Sequence, residues 1–286
     1  MTLPCLEPLA RTAALDLALP AGAWDTHIHA IGAPGRFPFA SDRSYTPAIV
    51  PIERYVALMD RLGIGRAVLV QPSIYGTDNG AMVDALLRYP ERFRGVAVVS
   101  AGVADAALDA LHAAGVRGVR ANLLNRGGIS MEDAVALAPR LAARGWHLQL
   151  QIDASTFDGF DRLERLPGAI VIDHFGYMEA SKGPHEPGFR RLVELVAKGR
   201  CHVKLSAPYR LTPWKRGGFG PVTALARALV EANPQRLLWG SDWPHTDVRD
   251  DMPDDGELVN LLGEWLPDPA LRRAVLVENP RALYAS

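Results

Sequence analysis

Cysteine is nearly absent: Cys5 and Cys201 are the only two in 286 residues. They can build neither a disulfide framework nor a Cys-x-x-Cys metal site. An excess of either charge is also missing, with 31 basic against 32 acidic residues and a net charge of -1. No long basic run appears, which excludes the electrostatic footprint of a nucleic-acid or membrane-surface partner. No apolar stretch is long enough to span a bilayer. The first twenty residues carry Glu7, Arg11 and Asp16 and lack the pattern of a secretory leader. A cytoplasmic protein is expected. No Gly-x-Gly-x-x-Gly follows the first apolar strand, which argues against a dinucleotide-binding sheet. There is no repeat, low-complexity tract or linker. The reading is one domain over 1–286, opening with an irregular lead-in at 1–22.

What the chain does have is 48% hydrophobic residues, enough for a sizeable core. Apolar strands are predicted at 23–29, 66–73, 95–100, 116–122, 147–153, 169–174, 202–206 and 236–242. Most read as the continuous runs of buried parallel strands. Helices are predicted at 51–62, stopped by Gly63, and at 79–88, 104–114, 156–165, 222–232 and 256–265. Ser130 caps another that carries Glu132 and Asp133 in its first turn and stops at Gly145. A last helix begins near Pro269. Eight strands alternating with helices over roughly 250 residues predict a (β/α)8 barrel. The loop after the first strand, rich in Gly, Pro and aromatics around Tyr45, is longer than most connections.

Active sites of such barrels lie at the C-terminal ends of the strands. The first strand ends in Asp25-Thr26-His27-Ile28-His29, and residues two apart share a face, so both imidazoles point one way. Alone, His-x-His reads equally well as a chance polar pair. The other strand ends add Ser73, Arg120, Asn122, Gln151, Asp153, His174, Ser206 and Asp242, with Tyr209, Arg210 and His245 just beyond. Tyr45 and Arg126 lie in loops. His27, His29, His174 and Asp242 form a candidate cluster of N and O ligands for a borderline divalent metal. Arg120, Arg126 and Arg210 could grip carboxylates by two-pronged hydrogen bonds. Singly, each arginine is as well explained by a rim salt bridge, His174 by a core position and Asp242 by a loop or capping role. Their joint placement favours a site, and converging arginines imply a substrate with two or more carboxylates. His147 and His202 begin their strands and belong to the opposite end.

The motifs Asp-Thr-His27-Ile-His29, Ile-Asp-His174-Phe-Gly, Trp-Gly-Ser-Asp242-Trp-Pro-His and Glu278-Asn279-Pro280-Arg-Ala-Leu-Tyr284 resemble those of the amidohydrolase superfamily over nearly the whole chain. Val-Gln-Pro-Ser73, Gly118-Val-Arg120-Ala-Asn-Leu, Arg126-Gly-Gly and Lys204-Leu-Ser-Ala-Pro-Tyr-Arg210 resemble, more narrowly, the 2-pyrone-4,6-dicarboxylate hydrolases, lactonases of bacterial aromatic breakdown. The resemblance implies that His27, His29 and His174 surround the lactone carbonyl and that Asp242 activates water. It implies that Tyr45, Ser73, Arg120, Arg126 and Arg210 hold the carboxylates and ring, and that no metal is required. The fourth and fifth strands lack the extra ligands usual in metal-dependent members and offer Arg120, Asn122, Gln151 and Asp153 instead. A tyrosine expected at the end of the fifth strand is replaced by Gln151 and Asp153, which are carried as substrate-binding candidates. The expected partner is a small di- or polycarboxylate lactone, with monomer and homo-oligomer both open. The alternatives are a sugar-acid lactonase, with Gln151 and Asp153 facing hydroxyls, a zinc-dependent decarboxylase using His27, His29, His174 and Asp242 as ligands, and a carboxylate-binding barrel without activity.

Overall fold

The computed structural model describes residues 5–125, 128–213 and 219–285. Eight parallel strands form one sheet in sequential order: β1 (Trp24–Ile28), β2 (Arg66–Val70), β3 (Phe93–Ala97), β4 (Val116–Asn122), β5 (His147–Gln151), β6 (Ile170–Ile172), β7 (His202–Ser206) and β8 (Leu237–Gly240). The sheet closes just past β8. Asp242 N–H donates to the His27 carbonyl at 2.9 Å, and His29 N–H donates to the Trp243 carbonyl at 2.8 Å. Closure therefore fixes the first and last site motifs against each other. Gly240 makes it possible, because a Cβ there would lie 2.6 Å from the His27 Cβ. The result is a nearly closed (β/α)8 barrel.

The helices are α1 (Ile52–Leu62), α2 (Gly80–Arg88), α3 (Asp105–Ala113), α4 (Met131–Ala142), α5 (Phe160–Arg165), α6 (Pro187–Ala197), α7 (Gly220–Ala232), α8 (Asp255–Trp265), α9 (Pro269–Arg273) and α10 (Asn279–Tyr284). Gly63 ends α1 in the left-handed conformation, and Ser130 and Asp133 form a reciprocal capping box on α4. Helix α6 escaped the sequence reading. Its signals are present: Glu186 caps the Phe189 N–H, Pro187 occupies the first turn, and Phe189, Leu192, Leu195 and Val196 are buried. Helix α5 is shorter than expected because a turn at 154–156 and irregular chain at 157–159 precede it.

Three apolar clusters are seen among the described residues. The largest lies between the barrel and its helices. A second contains Trp24, Val68, Val70, Val96, Val171 and Leu238 from the strands and Tyr284 from α10, plugging the barrel. A third, Ile31, Tyr45, Ile74, Tyr75 and Ala81, packs the loop after β1. Residues 5–22 of the lead-in have no regular structure but are pinned, with Ala13 N–H donating to the Asp254 carboxylate and Asp16 N–H to Asn260 Oδ1. Among the described residues, no helix is long and apolar enough to cross a membrane.

Candidate active site

Strand ends β1, β6 and β8 bring His27, His29, His174 and Asp242 together. Asp242 Oδ1 lies 3.3 Å from His29 Nε2, 3.7 Å from His27 Nε2 and 3.9 Å from His174 Nε2. His174 and Asp242 adopt the left-handed backbone conformation, with φ of 50° and 69°. That region is uncommon outside glycine and marks strain held in place by its surroundings. Here the surroundings are barrel closure and the packing of the loops that follow β6 and β8.

The second nitrogen of each imidazole decides what the first can do. His29 Nδ1 donates to the Val70 carbonyl at 2.7 Å, and its Nε2 faces Asp242 Oδ1. His174 Nδ1 lies 2.7 Å from the Ser206 hydroxyl, which can donate to it and leave Nε2 as an N–H. His27 Nδ1 lies between two groups. Asp173 Oδ1 is 3.2 Å away but makes no hydrogen bond in this geometry, whereas Lys204 Nζ, at 3.4 Å, is placed to donate. We take Lys204 as the partner, so His27 Nε2 carries the proton. That buried nitrogen has no hydrogen-bond partner among the described residues. Burial holds His27 well below the usual imidazole pKa and His174 down to about 4, so both are neutral near pH 7.

Beneath the histidines is a polar layer to which the sequence reading gave no role. Lys204 is fully buried and donates to the Thr26 carbonyl and Gln149 Oε1, both at 2.8 Å. Burial lowers its pKa from 10.5 to about 8, with Asp173 acting in the opposite direction. Asp173 accepts from Arg120 Nε and Gln149 Nε2, both at 3.1 Å. Burial opposes its charge, yet His27, Lys204 and Arg120 hold its carboxyl well below the normal range. Asp242 behaves likewise: burial would raise it, but Arg210 and the histidines keep it ionised. Its Oδ2 accepts from Arg210 Nε and the Tyr209 hydroxyl, both at 2.7 Å. Tyr209 continues to His245 Nδ1 at 3.1 Å, and His245 Nε2 lies 3.2 Å from Asp255.

A cavity of about 430 Å³, its mouth included, opens above this group. His29, Tyr45, Ser73, Arg120, Asn122, Gln151, His174, Arg210 and Asp242 all line it, together with Asn125, Tyr177, Thr246 and Asp247. Two expectations change. Asp153 is not among the lining residues: its carboxylate accepts from Ser155 N–H at 2.9 Å and the Ser155 hydroxyl at 2.7 Å, closing a local turn. The arginines are not free cations held apart, since Arg120 pairs with Asp173 and Arg210 with Asp242. Arg126 lies outside the described residues.

His27, His29 and Asp242 place ligand atoms within 4.8 Å of one another, a set that suits a divalent cation by donor type and spacing. The protonation pattern fits an ion less well. Lys204 directs the His27 proton onto Nε2, and Arg210 occupies the far side of Asp242. A second group, His27, Asp173 and His174, has its carboxylate already paired with Arg120.

The amidohydrolase family model matches residues 24–285. A 4-sulfomuconolactone hydrolase of Rhizobium radiobacter is 40% identical, covering 98% of this chain and 96% of that protein. A 2-pyrone-4,6-dicarboxylate hydrolase of Comamonas testosteroni is 38% identical, covering 93% of this chain and 91% of that protein. A crystal structure assigned as a 2-pyrone-4,6-dicarboxylic acid hydrolase from Pseudomonas putida superposes with a TM-score of 0.80 at 35% identity, covering 93% of this chain and 98% of that one.

Proposed function

The chain belongs to the amidohydrolase family, and we propose that it is a lactonase opening the ring ester of an anion-bearing lactone, 2-pyrone-4,6-dicarboxylate or a close analogue. The observation that carries this reading is the Asp242 carboxylate facing three histidine nitrogens at 3.3–3.9 Å beneath a cavity lined by two arginines. Pure binding needs no buried base. The relatives at 38–40% identity named for lactone hydrolysis support it.

In the proposed reaction, Arg120 and Arg210 hold the anionic substituents and orient the ring. His27 and His174 turn neutral Nε2–H donors toward the ester carbonyl and stabilise the oxyanion. Asp242 takes a proton from water as that water attacks. The ring oxygen leaves as an enolate, stabilised by conjugation. Ring closure is favoured at low pH, where carboxylates take up protons. No metal is required in this reading, and the cations around the cluster oppose a divalent charge. A sulfonated muconolactone is the second reading, favoured by the 4-sulfomuconolactone hydrolase at 40% identity.

The test follows loss of the pyrone absorbance of 2-pyrone-4,6-dicarboxylate with chelator-treated enzyme, in parallel with added zinc. Fast loss without metal is expected. Loss only with zinc removes the metal-free step, and no loss in either arm, with turnover of 4-sulfomuconolactone, moves the assignment to the sulfonated substrate.

A further inference from the structure

The two amides on the cavity wall are locked in one orientation each. Asn122 Oδ1 accepts from Leu124 N–H and Asn125 N–H, both at 3.0 Å, so its amide nitrogen is the free end. Gln151 Oε1 accepts from Arg120 Nη2, so its amide nitrogen is also the free end. Both side chains are more than nine-tenths buried, both line the cavity, and neither nitrogen has a partner among the described residues. Backbone N–H groups and a guanidinium cannot accept, so neither amide can flip without losing its bonds. Arg120 completes the wall. Its Nε is used by Asp173 and its Nη1 reaches the Gln71 carbonyl only at 3.5 Å, which leaves N–H groups for a ligand. Arg120 and Lys204 also share one carboxylate, Asp173, leaving positive charge at this wall.

We propose that Asn122 and Gln151, beside Arg120, form a donor-only subsite that selects lactones bearing an ionised oxyanion, a carboxylate or a sulfonate, and rejects rings bearing hydroxyls in its place. The inference rests on the cavity being the lactonase site proposed above. A hydroxyl needs an acceptor to satisfy its own proton, and the cavity-facing ends of Asn122 and Gln151 offer none. With its amide oxygen held by Arg120, Gln151 turns an N–H rather than an acceptor to the ring, which does not suit a sugar acid.

The test measures binding by calorimetry of three unreactive analogues, isophthalate, 3-sulfobenzoate and 3-hydroxybenzoate, to the native chain and to Gln151→Glu and Asn122→Asp. Both variants keep the internal acceptor oxygen and turn an oxygen, in place of N–H, to the cavity. Melting curves check that they fold. Native protein should bind one or both anions at least tenfold more tightly than 3-hydroxybenzoate. Each variant should lose about tenfold or more of anion affinity, the scale of one hydrogen bond to a charged group. The stronger of the two anions identifies the substituent. Equal binding of 3-hydroxybenzoate, or folded variants with native anion affinity, overturns the proposal. Native protein that binds the anions but opens no lactone overturns the proposed function and leaves the subsite standing.

Discussion

Replacing Lys204 by methionine tests whether a buried lysine sets the proton on His27. Lys204 donates to the Thr26 carbonyl, Gln149 Oε1 and His27 Nδ1, and the methionine leaves all three without that donor. An unsatisfied buried acceptor costs about 1–3 kcal/mol. His27 can move its proton to Nδ1, facing Asp173, so two orphans remain. Against this, the fold no longer holds a charge whose pKa it lowers from 10.5 to about 8, a relief of roughly 3 kcal/mol. The net loss of stability should be modest, about 1 kcal/mol by urea unfolding. The effect on the reaction should be large. With its proton on Nδ1, His27 turns a lone pair to the oxyanion, and loss of one such donor lowers kcat by about 10²–10³. KM should rise by a smaller factor, because Lys204 shares Asp173 with Arg120 and its loss removes positive charge from the anion-binding wall. Titration of the native enzyme should give the same result. The folded pKa of Lys204 lies below its unfolded value, so the stability cost is present below about pH 8 and is relieved as pH rises from there toward 10.5. From this group alone, stability rises with pH while kcat falls through about 8. A folded Lys204→Met enzyme with a kcat within a few-fold of native would refute the tautomer argument.

Asp242→Asn should lower kcat by about 10³ through loss of the base. It should bind the anionic analogues at least as tightly, since Arg210 loses its internal partner; substantial residual turnover would remove Asp242 from that role. Acid should destabilise the fold through histidines that burial keeps neutral. His174 and His202 are lowered to about 4 and His147 to about 3. The unfolded chain takes up those protons first, so this stability is complete above about pH 6.5 and is lost as pH falls toward 4. Asp25, pushed up to about 6 by burial, acts in the opposite direction and softens the loss. Urea midpoints flat from pH 7 to 4 would contradict the neutral-histidine assignment.

The barrel was legible because buried parallel strands are runs of Val, Leu and Ile, and β4 and β7 match their expected spans to the residue. The His-x-His pair and Asp242 were legible because strand-end position alone places them at the site. What period and composition could not reveal is pairing. Lys204 and Asp173 are charged residues within or beside apolar strands, and their partners come from β1, β4 and β5, far away in sequence. Arg120 and Arg210 look like free clamps in one dimension, and only the closed barrel shows the carboxylate beside each. Asp153 looked like a site residue by the same strand-end rule. Its role is decided by Ser155, two residues on, which draws the carboxylate into a turn. Helix α6 was lost because Pro187-Gly188 reads as a loop, although proline suits a first turn and a Gly188 side chain would lie 1.9 Å from the Ala154 carbonyl oxygen.

The charges at and beneath the cavity bear on the metal-free step proposed above. Arg120, Lys204 and Arg210 face two carboxylates, Asp173 and Asp242, and burial keeps His27 and His174 neutral. A lactone carrying an ionised substituent onto the Asn122–Gln151 wall meets Arg120 there, and in the proposed reaction the oxyanion that forms draws on neutral N–H donors. A divalent cation among the histidines would instead add two positive charges beside Arg120, Lys204 and Arg210. Two like charges about 4 Å apart repel by about 4 kcal/mol at the effective dielectric of a partly buried site.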